Sequence, residues 1–485
     1  TFPLVNGQWT AEADVLGRLT EQKDAGGATI GWQYKDLETD QTELYSAQMR
    51  LLSITNRSGL VQSYQYDSSG NVQSITDSFG RSLQYTYTAS GQIQTLTDPA
   101  GQVYSYNYTP GGRVQSVTYP DNKVRQYLYE NALFPNALTG ITDENGTRFA
   151  TWSYDTIGRA VSSEHAGGVE RVELNYLSAT NVNITDYKDS PTIANSTRSK
   201  SFERVLGVAK ISTVSQPCNG SNITGTTYDA NGNVASRTDF NGNRTNYTYD
   251  LTRNLETQRV EGLSSAGAST AQTRTISTEW HPTWRLPKRI AEPKRLTSFI
   301  YNGDAGVTCG ATAALCSKTL TETTDATGAS GLGATPTTNT RSWSYTYNSA
   351  GQVLTVNGPR TDASDVTTYA YYTTNDSSGN FRIGDLASIT NALGHITQIT
   401  HYDAHGKPKR IVDPSGLVTQ LDYWPRGWLK SRDVGGLITL FDYDGVGQLK
   451  KVTNPDGSFV SYTYDAAHRL TDIRDKAGNR LQITP

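Results

Sequence analysis

The feature that most constrains this 485-residue chain is its period. A tyrosine, usually followed by aspartate and then by a glycine three residues further on, stands at Tyr45, Tyr66, Tyr87 and Tyr108, each step being 21 residues. The same motif returns at Tyr402, Tyr423, Tyr443 and Tyr464, with steps of 21, 20 and 21. Further copies start at Tyr154, Tyr228, Tyr249 and Tyr347. A period held this well marks a repeat protein, in which each copy is one supersecondary unit that needs its neighbours to bury a face.

The repeated residues are those of turns. Tyr66, Asp67 and Gly70 open one copy; Tyr87 with Gly91 and Tyr108 with Gly112 open the next two. The others are Tyr154, Asp155 and Gly158; Tyr228, Asp229 and Gly232; Tyr249 and Asp250; Tyr347 and Gly351; Tyr402, Asp403 and Gly406; Tyr443, Asp444 and Gly447; and Tyr464 and Asp465. About half a period later comes a second turn, as in Asp77-Ser-Phe-Gly80 or Asp98-Pro-Ala-Gly101. Asp folds its side chain onto the backbone ahead, Pro presets φ and Gly supplies positive φ. Between turns lie short runs that alternate β-branched or aromatic with polar residues, such as Val72-Gln-Ser-Ile75. Each unit is therefore a β-hairpin. An aromatic also sits two residues before the motif tyrosine, as in Tyr64/Tyr66 and Tyr85/Tyr87, which places both rings on one strand face. Because this pair recurs in nearly every unit, it reads as a structural ladder rather than a sugar-binding strip.

Some twenty hairpins would give forty strands about 4.8 Å apart, a ribbon on the order of 190 Å wide. Strand twist forbids so wide a flat sheet. The strands carry too much Tyr, Thr, Ser and Gln for a sandwich core, so the sequence predicts an all-β chain: one antiparallel sheet of stacked hairpins, spiralling into a hollow shell or part of one. With 29 Tyr, 44 Gly and one Met, the composition predicts little helix. The repeat spans 1–485 as one body, with an irregular segment at about 177–223 and an insertion at about 257–341. That stretch reads as strands with an ordered or semi-ordered insertion, which is a bland spacer or a contact site.

Other classes of function find little support. Forty-three basic residues against 46 acidic ones argue against a nucleic-acid face. A mean hydropathy of −0.55, with no apolar run near 20 residues, argues against a membrane span. The chain starts at Thr1 without a leader, which suggests a piece of a longer polypeptide. Cys309 and Cys316 form a local disulfide if the protein is secreted, or stay free thiols in a cytosol, and Cys218 is left over. His401 and His405 have a metal-like spacing, but in a strand end and turn that spacing does not converge the rings. Asp442 and Asp444 share a strand face without nominating a catalytic cleft. The sequons at Asn56, Asn145 and Asn246 carry little information in a chain so rich in Asn and Thr. No catalytic residue, cofactor or metal site is assigned.

The motif Y-D-x-x-G-[NR]-[LV], followed about eleven residues on by D-x-x-G, resembles the Rhs or YD-repeat family over most of the chain. That family includes bacterial polymorphic-toxin shells and the teneurin shell of animals. The resemblance implies a spiral β-cocoon that encloses a C-terminal toxin polypeptide of the same longer chain until delivery. It also implies secretion or surface display by a bacterium, with secretion or delivery components as partners. Pro408, Asp413, Pro414, Gly416 and Leu417 match the spacing of the family's self-cleavage motif. Asp413 is equally the second turn of the unit at Tyr402, and three repeat starts follow it, so the turn reading is preferred. The expected function is a non-catalytic encapsulating shell. The alternative is an extracellular adhesion module that grips a glycan or partner through its outer face or the 309–340 segment.

Overall fold

The computed structural model describes residues 2–187, 196–215 and 223–483. Each repeat closes through its aspartate. Asp67 Oδ1 accepts from the backbone N–H groups of Ser69 and Asn71, both at 2.9 Å. Gly70 N–H then closes onto the Asp67 carbonyl at 3.0 Å, with Gly70 at φ +85°. Asp155, Asp229, Asp403, Asp444 and Asp465 accept from the backbone four residues ahead in the same way. So do Asp77, Asp98 and Asp239 at second turns. Where Thr88 or Thr109 replaces the aspartate, its hydroxyl accepts the equivalent bond at 3.2 Å. The first turn of every such unit is thus tied by a side chain as well as by the backbone.

These turns make the fold all-β and antiparallel, a long sheet of hairpins laid down in sequence order. Strand Ser82–Tyr87 pairs with Val72–Thr76 on one side and Ile93–Thr97 on the other. The pattern repeats from Ile396–Tyr402 to Arg480–Ile483. The two turns of a unit differ. Register shifts at the motif tyrosine in Tyr87, Tyr108, Tyr154, Tyr228, Tyr249, Tyr347, Tyr423, Tyr443 and Tyr464. The pairings across the second turns at Asp77, Asp239, Asp413 and Asn454 keep register. A bulge bends its strand and raises the local twist, and bulges recur at the motif tyrosines, although the turns at Asp143 and Asp475 are flanked by register shifts as well.

The motif tyrosines do more than pack. Tyr87 Oη donates to the Val72 carbonyl and Tyr108 Oη to the Ile93 carbonyl, both at 2.7 Å. Tyr129, Tyr423 and Tyr464 bond the carbonyls of Val114, Pro408 and Leu449 at 3.1, 2.8 and 3.0 Å. Each of these units is thereby fastened to the strand before it, through a hydroxyl that the aromatic spacing alone did not reveal. Tyr301 is buried, donates to the Pro287 carbonyl at 2.8 Å, and desolvation pushes its phenol up to about 12. Tyr301→Phe is expected to lower stability by about 0.5–1.5 kcal/mol, read from the urea midpoint, because it deletes one such bond and leaves the ring. A change near zero would mean that the ring alone holds the unit.

Few side chains are fully buried. Leu255, Leu263, Ala291 and Ile399 are among them, while strands such as Val61–Tyr66 stay partly exposed on both faces. The chain forms two compact units: one from 1–64, 199–370 and 390–394, the other from 65–198, 371–389 and 395–485.

The irregular stretches are also strand. Asn181–Tyr187, Ser196–Val205 and Val208–Ser215 lie in the first, with residues 188–195 and 216–222, including Cys218, outside the described residues. From 257 to 341 the sheet runs on through longer strands, from Leu255–Leu263 to Pro336–Tyr347, that lack the Tyr-Asp marker. Cys309 and Cys316 are disulfide-bonded, with Cα atoms 5.6 Å apart. Their loop is tucked in rather than projecting: Cys309, Ala311 and Ala313 are buried, and Tyr347 N–H donates to the Cys309 carbonyl at 2.7 Å.

Candidate functional site

Within the second unit, turn tips of the 65–198 stretch meet turn tips of the 395–485 stretch, and the contact is charged. His405 is the third residue of the Asp403–Gly406 turn, which aims its ring outward. Its Nε2 lies 2.9 Å from Asp98 Oδ2, and its Nδ1 lies 3.7 Å from Asp403. One unit later, Arg426 occupies the same turn position. Its Nη2 lies 3.0 Å from Glu144 Oε1, its Nη1 donates to the Gly445 carbonyl at 2.6 Å, and Asp121 is 3.6 Å away. The guanidinium stacks 4.1 Å over Tyr119 and 4.5 Å over Trp428. The Glu144 side chain is 0% exposed, and its second oxygen takes Arg125 Nη2 at 3.2 Å. A carboxylate out of water needs such partners, and here it bridges two arginines.

The seam continues. The Asn145 side chain donates to Asp444 at 3.1 Å and accepts from Gly445 N–H at 2.8 Å, so this sequon asparagine is committed to the contact. His468 stands where other units have glycine, at φ +66°. Its Nε2 lies 2.8 Å from Asp143 Oδ2, and its ring stacks on Phe149 at 4.0 Å. Phe149 also stacks with His165 at 4.5 Å. The Asp143 side chain is only 2% exposed and accepts the backbone N–H groups of Asn145 and Thr147 at 3.0 and 2.9 Å as well.

His405, Arg426 and Glu144 occupy variable positions of the repeat, whereas Asp98, Asp143 and Asp444 open recurring turns, and the period does not show that the two sets meet. A signal did exist: His405, Arg426 and His468 are spaced by 21 and 42 residues, all at turn tips.

Of the residues singled out by sequence, Asp98, Asn145, His405 and Asp444 lie in the seam and the others sit elsewhere. The motif Tyr, Asp and Gly residues build turns and ties between units and converge on no common cleft. Asp413 is a turn acceptor, taking bonds from the Ser415 hydroxyl at 2.7 Å and from the N–H groups of Ser415 and Leu417. The Ser415 hydroxyl holds its carboxyl below the usual range, offset in part by desolvation. Gly416, at φ +88°, completes that turn. His401 bonds Thr400 through Nδ1 while His405 turns to Asp98, so the two rings do not converge. Asp442 is exposed and Asp444 is spent on its turn. Among the described residues no three His, Cys, Asp or Glu side chains gather as a metal site, and no helix is long and apolar enough to cross a membrane.

A teneurin YD-shell family profile matches residues 7–206. An RHS-repeat profile matches 228–265, 423–458 and 443–480. Among solved structures, the chain is similar to the crystal structure of TcdB2-TccC3-Cdc42, with TM-score 0.56 and 14% identity over 94% of this chain and 24% of that one. It is similar to TcdB2-TccC3 without its hypervariable C-terminal region, with TM-score 0.57, 14% identity and the same coverage. The chain thus spans about a quarter of the length of either structure. No curated protein sequence matches. The period, the hairpin sheet built on it and the profiles matched along it agree: this chain belongs to the Rhs and teneurin YD-repeat family.

Proposed function

We propose that the chain is a wall segment of a YD-repeat shell that encloses a toxin polypeptide belonging to the same longer bacterial protein, secreted or displayed at the surface. Its role is containment rather than catalysis. The observation that carries this reading is the charged seam: within the second unit, turn tips remote in sequence are bonded to one another, as the wall of an enclosure requires. The bulges that recur at the motif tyrosines support it, because repeated bends curl a sheet around an interior. Strands that are polar on both faces suit a wall with water on either side.

Electron microscopy of the chain is expected to show a curved wall one sheet thick. A solid globule or a two-sheet sandwich rejects the proposal. In the full-length polypeptide, limited proteolysis is expected to spare the segment that follows the repeats and to digest it once the seam is broken by Arg426→Ala. Equal digestion of both forms also counts against containment.

A further inference from the structure

Within the first unit, the turn after Tyr249 departs from the repeat. Arg253 stands where other units have the turn glycine, and the positive φ passes to Asn254, at +49°. Arg253 reaches a second loop, between His281 and Leu286. Its Nη1 donates to the His281 carbonyl at 2.8 Å and its Nη2 to the Trp284 carbonyl at 2.9 Å. Arg285 on that loop reaches back, with Nη2 donating to the Asn254 carbonyl at 2.9 Å and Nη1 to the Arg253 carbonyl. Each turn thus clasps the other, and neutral acceptors fix both guanidiniums.

Carbonyls set the direction of a guanidinium but leave its charge. Among the described residues neither Arg253 nor Arg285 makes an ion pair, although both are half-buried. Desolvation, and after it the charge of Arg253, pushes the Arg285 guanidinium down, and the opposing effects of Glu38 and Asp36 are smaller. Two cations held together in a partly dry site favour a counter-anion. Both line a cavity of about 570 Å³, and so does Arg18, which donates to the Gly17 carbonyl at 2.9 Å and also makes no ion pair among the described residues. Two carboxylates line the cavity as well. Asp40 is already held by Arg57 at 2.6 Å and Lys35 at 3.7 Å, which leaves three guanidiniums against the exposed Glu12.

The donors left over say which anion. A guanidinium carries about five N–H donors, so two carbonyl bonds leave roughly three on each clasped arginine. The exposed Thr252 and Thr283 hydroxyls line the same cavity. A carboxylate presents two oxygens in one plane and satisfies a single fork, whereas a phosphoryl group presents three around a tetrahedral centre and takes donors from two forks at once. We infer that this cavity binds a phosphoryl oxyanion, held by Arg253 and Arg285 with Arg18 as the third cation. Its lining comes from the 8–18 stretch and from the two clasped turns, so the bound group ties that stretch to the turns, as the Asn254 side chain does through the Ala13 carbonyl at 2.6 Å. This is a binding function separate from containment.

The test uses the whole chain, with isothermal calorimetry and thermal unfolding in about 0.15 M salt, which screens loose surface attraction. The probes are inorganic phosphate, pyrophosphate and glycerol phosphate, with citrate as the carboxylate control. At least one phosphate probe is expected to bind and to raise the melting temperature, because a ligand of the folded state alone stabilises it. Citrate is expected to bind about tenfold more weakly or worse. Arg285→Lys keeps a cation for the facing carbonyls but loses the fork, and is expected to weaken phosphate binding about tenfold or more. Arg18→Gln removes an exposed charge without touching the clasp, and a loss of about threefold is expected. If Arg285→Lys fails to fold, Arg18→Gln decides alone. Tighter binding of glycerol phosphate than of inorganic phosphate makes the ligand an ester, and the reverse makes it the free ion; either supports the site. Binding of no phosphate probe, citrate binding as tight as phosphate, or phosphate binding unchanged in both variants would each overturn the assignment.

Discussion

Arg426→Ala is expected to lower the stability of the unit that contains it by about 3–5 kcal/mol, the range seen when one partner of a buried ion pair is removed. The arginine side chain is 10% exposed and Glu144 is 0% exposed, so water cannot take the place of the lost guanidinium. Three further interactions go with it: the bond to the Gly445 carbonyl and the stacking over Tyr119 and Trp428. Arg125 stays on the other Glu144 oxygen, which keeps the effect from being larger. Arg81→Ala is the control. Arg81 also pairs with a turn aspartate, Asp77 at 2.7 Å, but is 38% exposed, and such surface pairs contribute about 0–1 kcal/mol. Urea unfolding at constant slope measures both. Equal losses in the two variants would show that the seam holds nothing together beyond an ordinary turn.

Asp143→Ala is expected to be the other severe substitution, at about 2–4 kcal/mol. Its carboxylate takes two backbone N–H groups and His468 at once, in a place closed to solvent. Removing it deprives two half-buried N–H donors and His468 of their shared acceptor, and unsatisfied groups cost up to about 1–3 kcal/mol each when buried. Asp67→Ala deletes the same kind of turn acceptor from an exposed copy, where water replaces the carboxylate, and a much smaller loss is expected. The ratio of the two losses separates the seam from the turn. If Asp67→Ala and Asp143→Ala unfold at the same urea concentration, the turn alone accounts for Asp143. Hydrogen exchange offers a local reading: the amides of Asn145, Thr147 and Gly445 are expected to lose protection in both seam variants.

Much of the architecture is written in plain view. Asp67, Gly70 and their repeats are local devices, and a turn needs only a few adjacent residues to form. Tyr64 and Tyr66 lie two apart in one strand, and strand geometry puts both on one face. The all-β, antiparallel hairpin ladder follows from such neighbours, and so does the turn role of Asp413. Where the marker residues fade, as between 257 and 341, the boundaries blur: long strands such as Leu315–Thr323 have no Tyr-Asp start, and the segment reads as strands carrying an insertion, with the sheet passing through it. The hydroxyl ties between units were hidden for a different reason. They join Tyr87 to a carbonyl fifteen residues away, and a carbonyl has no identity in a sequence.

The sequence by itself determined the unit, because a 21-residue hairpin is held by contacts within its own length. Only the tertiary structure decided which units meet. His405 to Asp98, Arg426 to Glu144 and His468 to Asp143 bring together residues about 300 positions apart. Those pairings depend on the bend that each bulge adds and on how the bends accumulate over many units. Small rotations summed along a sheet set where two turn tips coincide. That sum is a property of the folded chain, and no single repeat contains it.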